Sequence, residues 1–124
     1  MSIETNKNVV RRYYEAVLNG GDVELLDELA AADYDEHTPF PGQPNGLEGL
    51  KARVGAIVAA FQPVFTVHEL ICEGDTVAVY WTNTGTHQGE FMGVPPSGRT
   101  LTISGMDFYR LRGGRMAEHW DVVQ

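Results

Sequence analysis

Residues 99–123, RTLTISGMDFYRLRGGRMAEHWDVV, decide the fold. Apolar and polar side chains alternate on both sides of the pair Gly113-Gly114. A glycine pair between two alternating runs is typical of a tight β-hairpin. We therefore predict two antiparallel strands, residues 99–112 and 115–123.

Two further strands are predicted upstream of this hairpin. Residues 64–74, VFTVHELICEG, alternate and break at Gly74-Asp75, and residues 76–91, TVAVYWTNTGTHQGEF, are rich in Val, Thr and aromatic side chains. Glycines 85, 89 and 105 lie inside these strand patterns. They predict bulges or bends of the kind that a curved sheet needs.

The first half of the chain is helical instead. Helical spacing of apolar residues predicts a helix over 6–19 with Asn6 as N-cap, a second over VELLDELAA after Asp22, and a third over 47–61. Residues 33–46, DYDEHTPFPGQPNG, are predicted to be an irregular loop. Helices followed by antiparallel strands indicate an α+β fold, in which N-terminal helices pack on a curved antiparallel sheet and leave a ligand cavity.

Composition limits the class of protein. The 124 residues favour a single domain, 1–124, and the net charge of −8 disfavours binding to nucleic acid or anionic membranes. No apolar run suits a membrane span or a signal peptide. The single cysteine, Cys72, excludes an intrachain disulfide. We expect a cytoplasmic protein.

Nucleotide-binding loops, zinc-protease helices, nucleophile elbows and CxxC pairs are absent from the sequence. The titratable groups of the last hairpin remain. Asp107 lies in an apolar strand, where a carboxylate is costly unless it is paired. It is either a structural partner of a neighbouring strand or a pocket carboxylate with a raised pKa that moves protons.

His119 and Asp121 are two residues apart on the last strand and therefore share a face. An aspartate can take a proton from carbon while a histidine donates to the developing oxyanion. Whether Asp107 joins them depends on register. A strict two-residue turn sets Met106 opposite Asp121, whereas a bulge at Gly105 or a longer turn brings Asp107 onto the shared face.

Other side chains are candidates for binding a ligand. His37 lies on the predicted loop at the mouth, and His87 lies near a strand end; both also suit purely structural roles. The aromatic candidates, which could equally be core residues, are Tyr14, Phe40, Phe61 and Trp81. Three histidines, 37, 87 and 119, would suffice for zinc, but their spacing shows no metal motif, so we predict no metal and no cofactor.

Four segments together resemble a known family: DYDEHTP (33–39), GTHQGEFMGVPPSGR (85–99), SGMDFYR (104–110) and GRMAEHWD (114–121). They are similar to the SnoaL-like polyketide cyclases of the NTF2-like superfamily, and the similarity covers nearly the whole chain. The resemblance implies a cone-shaped α+β barrel with a deep pocket, often dimeric through the outer sheet face.

The resemblance also implies a reaction. Family cyclases close a ring by intramolecular aldol condensation of a polyketide ester, with no metal or cofactor. Asp121 matches the general acid/base on the last strand. Asp107 takes the place of a polar residue that stabilises the enolate, which is histidine in some cyclases. Relatives with two pocket aspartates are linked to cofactor-independent hydroxylation of aromatic polyketides. The alternatives are therefore a cyclase, a hydroxylase, or a non-catalytic protein that binds small molecules.

Overall fold

The computed structural model describes residues 2–124, in which three helices pack on one five-stranded sheet. The helices are α1 (Ile3–Arg12), continued by a π-helical turn (Tyr13–Leu18), α2 (Leu26–Leu29), preceded by a 3-10 turn (Val23–Leu25), and α3 (Gly46–Phe61). The strands are β1 (Ala30–Glu36), β2 (Val64–Glu73), β3 (Thr76–Thr86), β4 (Thr100–Arg112) and β5 (Arg115–Val123). None of the helices in this range is long and apolar enough to cross a membrane.

The sheet has the order β1-β5-β4-β3-β2, and β1 and β2 remain its edges, so it does not close. Strands β2 to β5 pair antiparallel, whereas β1 runs parallel to β5. The α+β class is confirmed. The prediction of an antiparallel sheet is wrong at the β1 edge, where the sheet is mixed.

Strand β1 occupies residues that were predicted to end a helix and begin a loop. Tyr34 and Glu36 are buried at alternate positions, and Glu36 pairs in register with His119 of β5. Apart from two aspartates, the Pro, Gly and Asn residues that suggested a loop begin only after Glu36, at Pro39. Pairing with β5 thus extends ordered structure into a segment whose composition is typical of a loop.

The first helix begins earlier than predicted and changes its pitch. Ser2 is its N-cap and accepts a hydrogen bond from the Thr5 backbone N–H at 3.0 Å, whereas Asn6 is buried inside the helix. The π-helical turn that follows buries both Tyr13 and Tyr14. Such turns are rare and often occur at functional sites. Here the turn directs two neighbouring tyrosines to the inner face of the sheet.

The glycine hairpin is confirmed, and its register brings Asp107 onto the shared face. Gly113 and Gly114 both have positive φ, 60° and 79°, as a tight hairpin turn requires. Leu111 pairs with Met116 but Arg110 pairs with Glu118, so Ala117 is an extra residue in β5. This bulge sets Asp107 directly opposite Asp121.

Gly105 is not the site of that bulge. It keeps regular pairing with Trp81 of β3 and Val123 of β5, so the predicted bulge there is wrong. A Cβ at Gly105 would lie 2.4 Å from the Trp81 indole, which packs directly on it. The glycine is needed for this close approach. Strand β3 ends at Thr86, five residues before the predicted end at Phe91.

Candidate active site

A cavity of about 320 Å³ lies between the helices and the inner face of the sheet. One end, which we call the charged end, is lined by Glu36, Arg53, Asp107, His119 and Asp121. The other, the apolar end, is lined by Phe61, Phe65, Phe91, Leu101 and Ile103. Leu101 and Ile103 are 41% and 39% exposed, whereas Asp107 on the same strand is 6% exposed, so the cavity opens at the apolar end.

His119 is the centre of the charged end. Its Nε2 lies 2.9 Å from Oδ1 of Asp107, and its Nδ1 lies 2.6 Å from Oε2 of Glu36. Burial alone lowers the pKa of His119, but the hydrogen bonds to the two carboxylates and their negative charges raise it to about 9. The side chain is therefore an imidazolium at neutral pH and donates a proton from each ring nitrogen.

Asp107 accepts hydrogen bonds at both oxygens. Oδ1 accepts from His119, and Oδ2 accepts from the Tyr14 hydroxyl and from Trp81 Nε1 at 2.7 Å. The sequence left open whether Asp107 is a structural partner of its neighbours or a pocket carboxylate that moves protons. Three surrounding donors use both of its oxygens as acceptors, which favours the role of a partner that positions His119.

Arg53, on α3, joins the other two carboxylates. Its Nη2 lies 2.6 Å from Oδ2 of Asp121, and its Nη1 lies 3.3 Å from Oε1 of Glu36. The guanidinium also covers the Phe40 ring, 4.1 Å from its centre. Charges therefore alternate in one chain of contacts: Asp121, Arg53, Glu36, His119 and Asp107.

Glu36 connects the two cations. Burial raises the pKa of its carboxyl, but the hydrogen bond and charge of His119, together with Arg53, lower it below its ordinary value on balance. Oε2 also accepts from the backbone N–H and the hydroxyl of Thr38, at 3.2 and 3.1 Å. Glu36 thus fixes both cations at one point of the cavity wall.

Asp121 is the least saturated carboxylate of the charged end. Its Oδ2 accepts from Arg53, and its backbone N–H donates to the Thr38 hydroxyl at 3.2 Å. Within residues 2–124, its Oδ1 has no hydrogen-bond partner, and its side chain is 14% exposed. Glu36 Oε1 also lacks a hydrogen bond, but the Glu36 side chain is only 2% exposed. Among the three carboxylates, Asp121 is therefore best placed to accept a proton from a molecule in the cavity.

Three tyrosines add neutral hydroxyls to the same wall: Tyr13, Tyr34 and Tyr109. Burial raises the pKa of each, and the charge of Asp107 raises that of Tyr13 further. All three hydroxyls stay protonated at neutral pH. Tyr109 lies 2.9 Å from the Tyr14 hydroxyl, oxygen to oxygen, so it belongs to the network around Asp107.

The structure brings most of the predicted site residues to the cavity. Asp107, His119 and Asp121 line the charged end, and Phe40, Phe61 and Trp81 also line the cavity. Tyr14 lies behind this lining and reaches Asp107 through its hydroxyl.

The two other predicted histidines do not line the cavity. His87 is buried beside Phe61, ring centres 5.2 Å apart, and its Nδ1 lies 3.1 Å from the Ser97 hydroxyl oxygen. His37 lies on the outer side of the sheet, where it stacks on Trp120 at 4.3 Å and contacts Glu118. Placing His37 at the mouth is wrong, because it directly follows Glu36 and points to the opposite side of the sheet from that cavity-lining residue.

Sequence reasoning missed Glu36 and Arg53. Arg53 follows Leu50 by three residues and precedes Ile57 by four, so it is a charge within the apolar stripe of α3. That position was a usable signal. Glu36 gave a weaker one, because its burial depends on a strand that the sequence did not predict.

Metal binding requires ligands with free lone pairs. Within residues 2–124, histidines 37, 87 and 119 do not form a group, although Asp107, His119 and Asp121 approach within 4.8 Å of one another. Both nitrogens of His119 carry protons that face carboxylates, so neither has a lone pair for a metal. The present arrangement does not fit a metal centre.

The chain is similar to known proteins over its full length. The family model described as "SnoaL-like polyketide cyclase" matches residues 8–124. IdmH of Streptomyces antibioticus, provisionally assigned as a polyketide cyclase, is 35% identical over 96% of this chain and 91% of its own, with a TM-score of 0.81. AclR of Streptomyces galilaeus, provisionally assigned as a hydroxylase, is 26% identical over 99% and 81%, with a TM-score of 0.83. TsrD of Streptomyces laurentii is 26% identical over 100% and 91%, with a TM-score of 0.89. A search of curated proteins found no significant match.

Proposed function

Because this chain belongs to the SnoaL-like polyketide cyclase family, we propose that it is a cofactor-independent cyclase that closes a ring by intramolecular aldol condensation of a polyketide ester. The observation that carries the proposal is the Asp121 carboxylate, which faces the cavity with one free oxygen and holds Arg53 at 2.6 Å through the other. A base beside a fixed cation is the arrangement that enolate chemistry needs.

The first proposed step is proton removal. Asp121 Oδ1 takes a proton from carbon next to a carbonyl, and the electron pair of that C–H bond becomes the enolate. Negative charge then moves from Asp121 to the substrate oxygen. Arg53 lies beside both positions and stabilises the charge before and after the transfer. The Tyr13 hydroxyl, protonated and lining the same wall, is the proposed donor to the enolate oxygen.

The second proposed step closes the ring. The enolate carbon attacks another carbonyl carbon of the same molecule, and the resulting alkoxide takes the proton back from Asp121. Both N–H groups of His119 donate hydrogen bonds to Asp107 and Glu36. His119 therefore contributes positive charge rather than a proton to the reaction. A substrate bound along the apolar end would fill the cavity and displace water from it, which strengthens the charge interactions at the other end.

Proton exchange on a simple ketone tests the base without knowledge of the natural substrate. We expect the protein to accelerate hydrogen–deuterium exchange at C2 of α-tetralone in D₂O, followed by ¹H NMR. Asp121→Asn should reduce the catalysed rate by about 100-fold or more, because general base catalysis contributes at least that much. Asp35→Asn makes the same chemical change outside the cavity and should leave the rate unchanged.

The outcomes separate the alternatives. Equal catalysed rates for the protein and Asp121→Asn would remove Asp121 as the base. If the unaltered protein binds α-tetralone without accelerating exchange, the non-catalytic binding function is favoured instead.

Hydroxylation is a second candidate, favoured by the facing pair of Asp107 and Asp121 and by the likeness to AclR. In this reaction, Asp121 would deprotonate an electron-rich phenol or enol, which then reacts with dissolved oxygen. Anthrone is a suitable probe, because anthrone and O₂ give anthraquinone and water. Oxygen uptake that Asp121→Asn abolishes would support hydroxylation, while its absence alongside ketone exchange would support the cyclase.

A homodimer is part of the proposal. The outer sheet face exposes Met106 at 55%, Phe108 at 49% and Val122 at 71%, and an apolar surface of this kind is typical of a contact between subunits. That the protein is a cytoplasmic single domain that binds neither nucleic acid nor membranes remains a prediction from its sequence and charge.

A further inference from the structure

We propose that Asn83 is a specificity-determining residue, which binds a hydroxyl or carbonyl oxygen of the substrate at the apolar end of the cavity. This inference rests on the proposed function to the extent that the cavity holds a flat, oxygen-bearing polyketide-like substrate. It adds a second point of recognition, remote from the reacting carbon.

Asn83 lies on the inner face of β3, between Trp81 and Gly85, and lines the cavity. Its neighbours in the sheet are Phe65 on β2 and Ile103 on β4. It is 8% exposed. An amide is thus buried at the end of the cavity where its neighbours are aromatic or aliphatic.

The Asn83 side chain has no protein partner within residues 2–124. Its amide oxygen, Oδ1, is fully buried without a hydrogen bond. An unpaired buried polar group costs about 1–3 kcal/mol, so an apolar side chain would make the fold more stable here. Because the terminal torsion of asparagine is broad, rotation of the amide can present either its donor or its acceptor to the cavity.

At the charged end, the buried His119 and Asp107 have protein partners at both of their polar atoms. The Glu36 Oε1 atom also lacks a hydrogen bond, but it lies 3.3 Å from the Arg53 guanidinium, which compensates its charge. Asn83 has an unmet hydrogen-bonding capacity that only a ligand or water can satisfy. Its place in the cavity therefore indicates recognition rather than support of the fold.

The spacing defines the kind of ligand. Ile103, the partner of Asn83, is four residues from Asp107 on β4, which corresponds to about 13 Å along the strand. A planar molecule of two or three fused rings with oxygen at both ends can reach from the charged end to Asn83. The proposed ligand class is a flat polyketide that carries an oxygen far from the carbon that reacts.

Two probes that differ by one hydroxyl test the inference. We would measure binding of 2,6-dihydroxyanthraquinone and 2-hydroxyanthraquinone by quenching of tryptophan fluorescence. The unaltered protein should bind the dihydroxy probe about 10-fold more tightly, the effect of one well-placed hydrogen bond to the buried Asn83 amide. Asn83→Leu should reduce this ratio to about 1 while changing the affinity for the monohydroxy probe by less than about 3-fold.

Two further measurements exclude a purely structural effect. Asn83→Leu should raise the melting temperature of the free protein by about 3 °C, because it removes the unpaired polar group. Thr84→Val makes a similar polar-to-apolar change on the outer side of the same strand, where Thr84 contacts Thr102, and should leave the binding ratio unchanged.

Three results would overturn the inference: an unchanged ratio in Asn83→Leu, a lower melting temperature in that variant, or failure of the unaltered protein to prefer the dihydroxy probe. These readouts measure binding and stability only. If the unaltered protein shows no catalysis but still prefers the dihydroxy probe about 10-fold, the proposed function is refuted and the role of Asn83 is not.

Discussion

The two faces of the β4–β5 hairpin depart from the usual distribution of side chains. Beside its buried apolar residues, the inner face carries the buried Asp107 and His119 and the partly buried Asp121. The outer face exposes Met106 and Phe108. In most half-buried sheets the apolar residues face inward. This difference is consistent with the proposed site on the inner face and the proposed dimer contact on the outer face.

The two faces are stabilised differently. Inside, each buried charge contacts an opposite charge, which offsets most of the cost of removing it from water. Outside, nothing in residues 2–124 covers the apolar side chains. Substitutions on the inner face should therefore act on stability and proton chemistry, and those on the outer face on association.

Replacing Arg53 should have the largest effect on stability. Arg53→Met leaves Glu36 and Asp121 without their shared partner, and we expect the free energy of unfolding to fall by about 3–5 kcal/mol. Urea denaturation measures it. Arg112→Met breaks an exposed pair with Asp33 and should cost at most about 1 kcal/mol. Equal losses of unfolding free energy in the two variants would mean that the buried network contributes no more to stability than an exposed ion pair.

The pH dependence of stability should be nearly as large. The pKa of His119 in the folded state, about 9, lies above its ordinary value of 6.5. The stabilising contribution of protonated His119 is therefore fully present below pH 6.5 and is lost as the pH rises toward 9. The free energy of unfolding should decrease by about 3 kcal/mol over this interval. Urea denaturation at pH 6.5 and pH 9 measures this, with His119→Gln as the control that removes it. Stability that holds constant over this interval would contradict the account.

Gly105→Ala should have an intermediate effect. The added Cβ would meet the Trp81 indole, whose N–H donates to Asp107, so the ring must shift. Overpacking of this kind costs about 1–3 kcal/mol. We expect a lower melting temperature together with a change in the fluorescence of Trp81. Trp120→Phe supplies the background in which that signal is read. Unchanged fluorescence would show that the indole already has room.

The smallest effect on the folded subunit is expected on the outer face. Phe108→Glu places a charge on the apolar surface and should convert the proposed dimer to a monomer, measured by light scattering after size exclusion. The unfolding free energy of the monomer should change by no more than about 0.5 kcal/mol, because Phe108 is 49% exposed. Phe108→Leu keeps the surface apolar and should remain a dimer. A protein that is monomeric before substitution would refute the proposed interface.

Local patterns predicted most of the fold. The glycine turn after Arg112 and the alternation in β4 were sufficient to predict the hairpin. Strand β1 was not predictable, because it forms only by pairing with β5. Glu36, for example, pairs with His119, which lies more than 80 residues later in the sequence. The bulge at Ala117 depends likewise on packing across the sheet.

The same limit applies to the candidate site. The spacing of His119 and Asp121 was sufficient to place them on one face of the last strand. Glu36 and Arg53 reach the site from other elements, which local spacing does not reveal. Arg53 could have been identified as a charge in an apolar helix stripe. The unpartnered amide of Asn83 gave no signal at all, because a polar residue in an alternating strand is ordinary until its neighbours are known.

The charge state of His119 tests the central claim most directly. The account requires a buried imidazolium between two carboxylates, so ¹⁵N NMR titration of the histidine ring should give a pKa of about 9, with both nitrogens protonated at pH 7. A pKa at or below 6.5, or a single protonated nitrogen at pH 7, would contradict it.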